Sequence, residues 1–118
     1  MLKTARITFS DDAESCIRRL SELSETSKVY QSILNSVQTK LSILQSNLQY
    51  GDHIKQSLVP QVYEMIYGVK SLYRVELSSF WRLLYTLFPG EDSGQVVVFI
   101  VDILDHSTYD KKFGYRKM

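Results

Sequence analysis

The stretch LYRVELSSFWRLLYTLF, Leu72 to Phe88, constrains the fold more than any other. It reads as two β-strands joined by a short loop, and the two-residue side-chain period of a strand ties every residue's face to one choice of register. With a three-residue loop, SSF, the side chains of Tyr73, Val75, Leu77, Trp81, Leu83, Tyr85 and Leu87 all point one way and make a coherent apolar face. The opposite face receives Arg74, Glu76 and Arg82, with Glu76 and Arg82 roughly opposite each other across the pair. A buried charge is costly unless it is paired or opens into a cleft, so the arginines either hold a structural pair or line a site. On a half-exposed sheet face they need not be buried, and loss of Arg82 is expected to cost only about 0–1 kcal/mol.

An apolar sheet face needs a cover, and the first half of the chain supplies one. LKTARITF alternates well enough for a first strand, and SDDAE after it starts a helix, with Ser10 to Asp12 as caps and acidic residues at the positive helix end. That helix runs to about Leu23 and is broken by SETSK. From about Ser27, Tyr30, Ile33, Leu34, Val37, Leu41, Leu44 and Leu48 recur at steps of three and four, predicting a long amphipathic helix with a glycine cap near YGD. The two helices form a hairpin over the sheet. VPQVYEMIYG holds one short helix, since Pro60 suits a first turn and Gly68 a C-cap.

Three strands follow, over about 72–77, 80–88 and 95–104, with PGEDSG as the turn between the last two. QVVVFIVDILDH is apolar for most of its length and reads as a central strand. Asp102 and His106 share a parity, and one register would aim both at the arginine cluster. The expected fold is α+β: an N-terminal strand and a helical hairpin packed on one face of a small antiparallel sheet, as a single domain over residues 1–118.

Composition excludes several classes of function. The single cysteine, Cys16, has no partner for an internal disulfide, and MLKTARITFS lacks the apolar core of a secretory signal, so the expected location is cytoplasmic. The run VVVFIV is far below the roughly 20 residues that a membrane helix needs. No Cys/His spacing suggests a metal, no glycine-rich phosphate loop is present, and no cofactor is expected. A net charge of +1 gives no global attraction to nucleic acid, so any such binding needs a local patch. YDKKFGYRKM offers one: Lys111, Lys112, Arg116 and Lys117 stand among Tyr109, Phe113 and Tyr115, a mixture suited to phosphate contact and base stacking, or else to a solvated tail. His53, in YGDHIK, is expected in a loop, and Cys16 in the core.

In element order, the chain resembles the RelE/ParE superfamily of toxins from toxin–antitoxin operons. The resemblance is carried by FWRLLYTL, similar to the YR-L-Y motif of the family's third strand, and by the aliphatic strand and His-containing end VVVFIVDILDHSTYDKKFGY. It implies a RelE-like fold and a ribosome-dependent endoribonuclease that cuts messenger RNA without a metal. In that chemistry the 2′-hydroxyl attacks the neighbouring phosphate, cations stabilise the added charge, and acid–base groups move protons. It further implies a cognate antitoxin as partner and allows a homodimer.

By position, Arg82 matches the family's strand-three arginine, and Arg74 falls where ribosome-dependent members have a lysine. Glu76 falls at a second lysine of that strand, implying either a glutamate general base or a salt-bridged, inactive site. His106 and Tyr109 fall where relatives place acid–base and stacking residues. The other readings are a gyrase-type inhibitor that acts by binding alone and an interaction module without toxicity, both consistent with the reversed charge at Glu76 and the near-neutral balance.

Overall fold

The computed structural model describes residues 4–114. Arg116 and Lys117 of the expected basic patch lie outside the described residues. The order of elements is β1 (Thr4–Phe9), α1 (Asp11–Ser24), α2 (Lys28–Ser46), β2 (Asp52–Ile54), α3 (Gln61–Tyr67), β3 (Leu72–Glu76), β4 (Arg82–Pro89), β5 (Gln95–Leu104) and α4 (His106–Phe113). The fold is α+β, with a five-stranded sheet in the order β1-β5-β4-β3-β2. The sheet is mixed rather than wholly antiparallel, because β1 runs parallel to β5 while the other pairs are antiparallel. β5 is apolar along nearly its whole length and takes a strand on each edge. Ser10 locks the parallel pair: its N–H donates to Ile100 O at 2.9 Å and its hydroxyl to Val101 O at 2.7 Å. The same hydroxyl accepts from Ala13 N and caps α1.

The three-residue turn Ser78–Phe80 sets the expected register, with Tyr73 opposite Tyr85, Val75 opposite Leu83 and Glu76 opposite Arg82. The apolar face lies under the hairpin as expected. Leu20, Ile33, Val37 and Leu44 pack with Val75, Leu83, Tyr85, Val98 and Ile100. The spacing of Ile33, Val37 and Leu44 along α2 keeps that stripe on one side of the helix.

Three further expectations are corrected. The long helix stops at Ser46 instead of reaching the glycine, and Leu48 lies in the following loop. Tyr85 fixes that loop: its hydroxyl donates to Leu48 O at 2.9 Å and accepts from Gly51 N at 3.0 Å. Gly51 is a close-approach glycine and not a helix cap, since a Cβ there would lie 2.9 Å from both Arg74 O and the Tyr85 ring. Second, His53 is not in a loop. Asp52–Ile54 pairs with β3 as an edge strand that places His53 opposite Tyr73 and Asp52 opposite Arg74.

The third correction concerns the face away from the hairpin, expected to be half-exposed. Tyr63 of α3 and Tyr109 and Phe113 of α4 are buried there with Leu72, Leu84, Val101 and Leu104, as a second core. Burial of each such aromatic contributes about 1.5–3 kcal/mol. His106 and Tyr109 therefore stand on a helix and not at a strand end. Asp105 caps α4 by accepting from Thr108 N at 2.7 Å, and Gly114, at φ 73°, closes it. The four-residue spacing of Tyr109 and Phe113 puts both rings on the sheet side.

A bulge between Leu84 and Tyr85 leaves Val101 without an opposite residue, since Leu84 faces Asp102 and Tyr85 faces Ile100. The extra residue resets the alternation and turns Asp102 to the second face. There Asp102 accepts from Tyr63 Oη at 2.8 Å and from Lys112 Nζ at 3.1 Å, joining β5 to α3 and α4.

Candidate functional site

Arg74 and Glu76 project from β3, two residues apart and so on one face, and Arg82 stands across from Glu76 on β4. α4 lays Tyr109 over them. Arg74 Nη1 donates to Tyr109 Oη at 3.1 Å, and the Arg82 guanidinium lies 5.3 Å from the centre of the Tyr109 ring. Glu76 Oε2 is 3.3 Å from Arg74 Nε and 2.9 Å from Arg82 Nε. Those contacts are electrostatic only: both Nε atoms are buried, and neither N–H is aligned with an acceptor. Asp52, from the edge strand, adds a weaker contact to Arg74 at 3.6 Å.

The burial of these groups is uneven. The Arg82 side chain is 13% exposed and Arg74 31%, whereas Glu76 is 53% exposed. The cations are thus anchored in the protein and the carboxylate sits toward solvent. The hydrogen bond to Tyr109, followed by the charges of Glu76 and Asp52, pushes the Arg74 pKa above its ordinary value, so Arg74 is a permanent cation. Two fixed guanidinium groups whose Nε–H groups lack aligned acceptors can take two oxygens of one phosphate once Glu76 is displaced from them.

The rim is formed by the β3–β4 turn and the start of α4. Arg82 Nη1 donates to Phe80 O, and the Phe80 ring lies 6.3 Å from the ring of His106. His106 is 60% exposed, with Nε2 3.2 Å from Asp110 Oδ2. Where β2 begins at Asp52, beside the unpaired end of β3, a recess of about 250 Å3 is bounded by Lys40, Tyr50, Asp52, Arg74 and Glu76. Lys40 Nζ donates to Tyr50 Oη there at 3.0 Å, adding a cation that sequence reasoning missed because α2 brings it from a distant part of the chain.

Of the residues singled out from sequence, Arg74, Glu76, Arg82 and Tyr109 come together, with His106 at the rim. Asp102 shares their face but engages Lys112 and Tyr63 rather than the arginines. The two lysines of the C-terminal segment separate: Lys111 is exposed, and Lys112 is committed to Asp102. Both belong to the last turn of α4, not to a tail. Asp52 and Phe80 were not anticipated; the first carries no local signal, and the second was read as the end of the SSF loop or the start of the next strand and given no role.

Among the described residues, no group of three or more His, Cys, Asp or Glu side chains is placed to hold a metal ion, and no helix is long and apolar enough to cross a membrane. Comparison with protein-family models, curated proteins and solved structures finds no match for this chain.

Proposed function

We propose that this chain is the toxin of a toxin–antitoxin pair, of the RelE/ParE kind, acting as a metal-independent endoribonuclease on messenger RNA at the ribosome. The observation that carries the reading is the convergence of two anchored guanidinium groups on one solvent-facing carboxylate under a tyrosine roof. A scissile phosphate entering from solvent displaces Glu76 and takes its place against Arg74 and Arg82. Glu76 accepts the proton of the 2′-hydroxyl as the 2′-O–P bond forms, and the P–5′-O bond breaks with a proton supplied from His106. The arginines stabilise the extra negative charge of the pentacovalent phosphate. The products are a 2′,3′-cyclic phosphate and a 5′-hydroxyl.

The antitoxin would occupy apolar surface beside the hairpin. A groove of about 530 Å3 between the end of α2 and the β4–β5 turn, lined by Leu48, Leu87, Phe88, Pro89 and Val96, suits an extended or helical segment.

A second reading has one observation in its favour. Glu76 and Asp52 already balance the two arginines, as expected of a non-catalytic binding protein, either a gyrase-type inhibitor or an interaction module. Cell-free translation separates the readings. The catalytic one requires that purified protein arrest synthesis and leave discrete breaks in ribosome-bound message, detected by primer extension, and that Arg82→Lys lose most of this. Arrest that leaves the message intact refutes the cleavage step, and uninterrupted synthesis refutes the ribosome-directed reading and favours the non-catalytic binding protein.

A further inference from the structure

Phe80 is placed against the preferences of its own chemistry. It is 72% exposed, so its ring gains little from burial, and its φ of 64° is in the left-handed region that a bulky side chain rarely adopts. Ser79 before it, at φ 58° and ψ 30°, is left-handed as well. Two such residues in succession make a tight hairpin turn that asparagine and glycine would form with less strain. Neither the backbone nor the side chain at this position is explained by stability.

The surroundings nevertheless hold the turn firmly. Ser78 N donates to Ser36 Oγ at 3.2 Å and Ser32 Oγ to Ser78 Oγ at 3.2 Å, so α2 grips one side. Leu77 N donates to Trp81 O at 2.9 Å, and Arg82 holds the Phe80 carbonyl from the other side. A strained conformation that its neighbours over-determine points to a use for the side chain it presents.

We propose that Phe80 is a stacking platform for one unpaired base of single-stranded RNA, beside the phosphate held by Arg74 and Arg82. The inference rests on the RNA-directed reading above and adds to it the subsite that grips a base. An aromatic ring stacks on any nucleobase, and a base whose phosphate sits on neighbouring cations is delivered to it by the backbone. Arg82 links the two subsites physically, since one guanidinium contacts both Glu76 and the Phe80 carbonyl. The His106 ring is tilted 57° to Phe80 and does not stack on it. A protein partner is the weaker occupant: among the described residues no other exposed large apolar side chain belongs to this turn or to α4, and the side chains that hold the turn, Ser32, Ser36 and Arg82, are polar.

The test is equilibrium binding, by fluorescence anisotropy, of a labelled single-stranded RNA octamer and of octamers with one abasic position moved along the strand. The wild type is expected to bind the intact octamer and to lose affinity when the abasic position falls on the platform. Phe80→Ala should weaken the intact octamer by about 5- to 150-fold and abolish that positional preference, with an unchanged salt slope. Phe80→Trp should restore both. Thermal melting of each variant checks the fold, and Phe80→Gly, which relieves the turn, should melt no lower than wild type. Equal affinity of wild type and Phe80→Ala, or no wild-type affinity at low salt, overturns the platform. Equal RNA affinity with loss of self-association in Phe80→Ala, seen by sedimentation, overturns it in favour of a contact between two copies. The toxin reading is judged separately by translation arrest, so an arresting protein with an inert Phe80 retains that reading and loses this one.

Discussion

Replacing Arg82 by alanine tests whether the second face is the covered surface described above or the open one that alternation alone suggested. The side chain is 13% exposed, donates to the Phe80 carbonyl, contacts Glu76 at 2.9 Å and sits 5.3 Å from the centre of the Tyr109 ring. A hydrogen bond from a charged group contributes about 1.5–3 kcal/mol. A largely desolvated cation–π contact adds about 0.5–2 kcal/mol. The Glu76 pair adds less than about 1 kcal/mol, because that carboxylate is half exposed and rehydrates when its partner is removed. These contributions overlap, and the expected loss is about 2–4 kcal/mol, with a fall in melting temperature on the order of 10 °C. Urea denaturation followed by circular dichroism measures it. A loss below about 0.5 kcal/mol would mean that α4 does not cover Arg82 in solution, and the proposed roof over the site would fall with it.

Gly51→Ala should destabilise by about 1–3 kcal/mol, since the added methyl meets the Arg74 carbonyl and the Tyr85 ring and forces overpacking; an unchanged denaturation midpoint would contradict that close approach. Lys111→Ala and Lys112→Ala should differ in kind: the first leaves stability alone and, if RNA binds here, flattens the salt slope by at most about one unit, while the second costs about 1–3 kcal/mol by leaving the buried Asp102 carboxylate short of a cation. Equal melting temperatures for these two variants would rule out the Asp102 pair. Burial, reinforced by Asp102 and Asp105, pushes the Cys16 thiol up from 9.0 to about 11, so at pH 8 its thiolate fraction is roughly 100-fold below that of the same thiol in the denatured protein and it should react with a disulfide reagent at least about 10-fold more slowly. Because the folded state holds that proton more tightly than the unfolded state does, the Cys16 contribution to stability is complete below pH 9 and is lost between pH 9 and about 11; rising stability over that interval would have the wrong sign.

The hairpin, the register of β3 on β4 and the gathering of Arg74, Glu76 and Arg82 were legible because each rests on a period: steps of three and four in α2, steps of two on either side of Ser78–Phe80. The cover on the second face was not read, although its signals are local. Asp105, Tyr109, Phe113 and Gly114 spell a capped helix of two turns, but the apolar strand before it and the basic residues within it invite continuation as a strand and then a tail. The direction of Asp102 was illegible for a different reason. A bulge adds one residue to the count, and nothing in VVVFIVDIL marks where it falls. Edge strand β2 is too short to show alternation, and it forms because Tyr85, from across the sheet, holds the loop that precedes it.

The covered second face changes what the charge at position 76 means. With an open face, a glutamate between two arginines would be an exposed pair of little consequence to either folding or chemistry. Under Tyr109 the arginines are anchored without Glu76: Arg74 has the tyrosine hydroxyl and Asp52, and Arg82 has the Phe80 carbonyl and the ring. The carboxylate is thus the replaceable member of the cluster, more exposed than either cation and lacking an aligned hydrogen bond to either Nε. Glu76→Gln should therefore cost little stability, under about 1 kcal/mol, while leaving Arg82 without a carboxylate partner and Arg74 with Asp52 alone. Affinity for a single-stranded RNA should rise in that variant, with a steeper salt dependence, and message cleavage should fall if Glu76 takes the 2′-hydroxyl proton. A variant that binds RNA no better than wild type would show that Glu76 does not compete with phosphate. One that binds better and cleaves as fast would keep the phosphate clamp and remove Glu76 as the base.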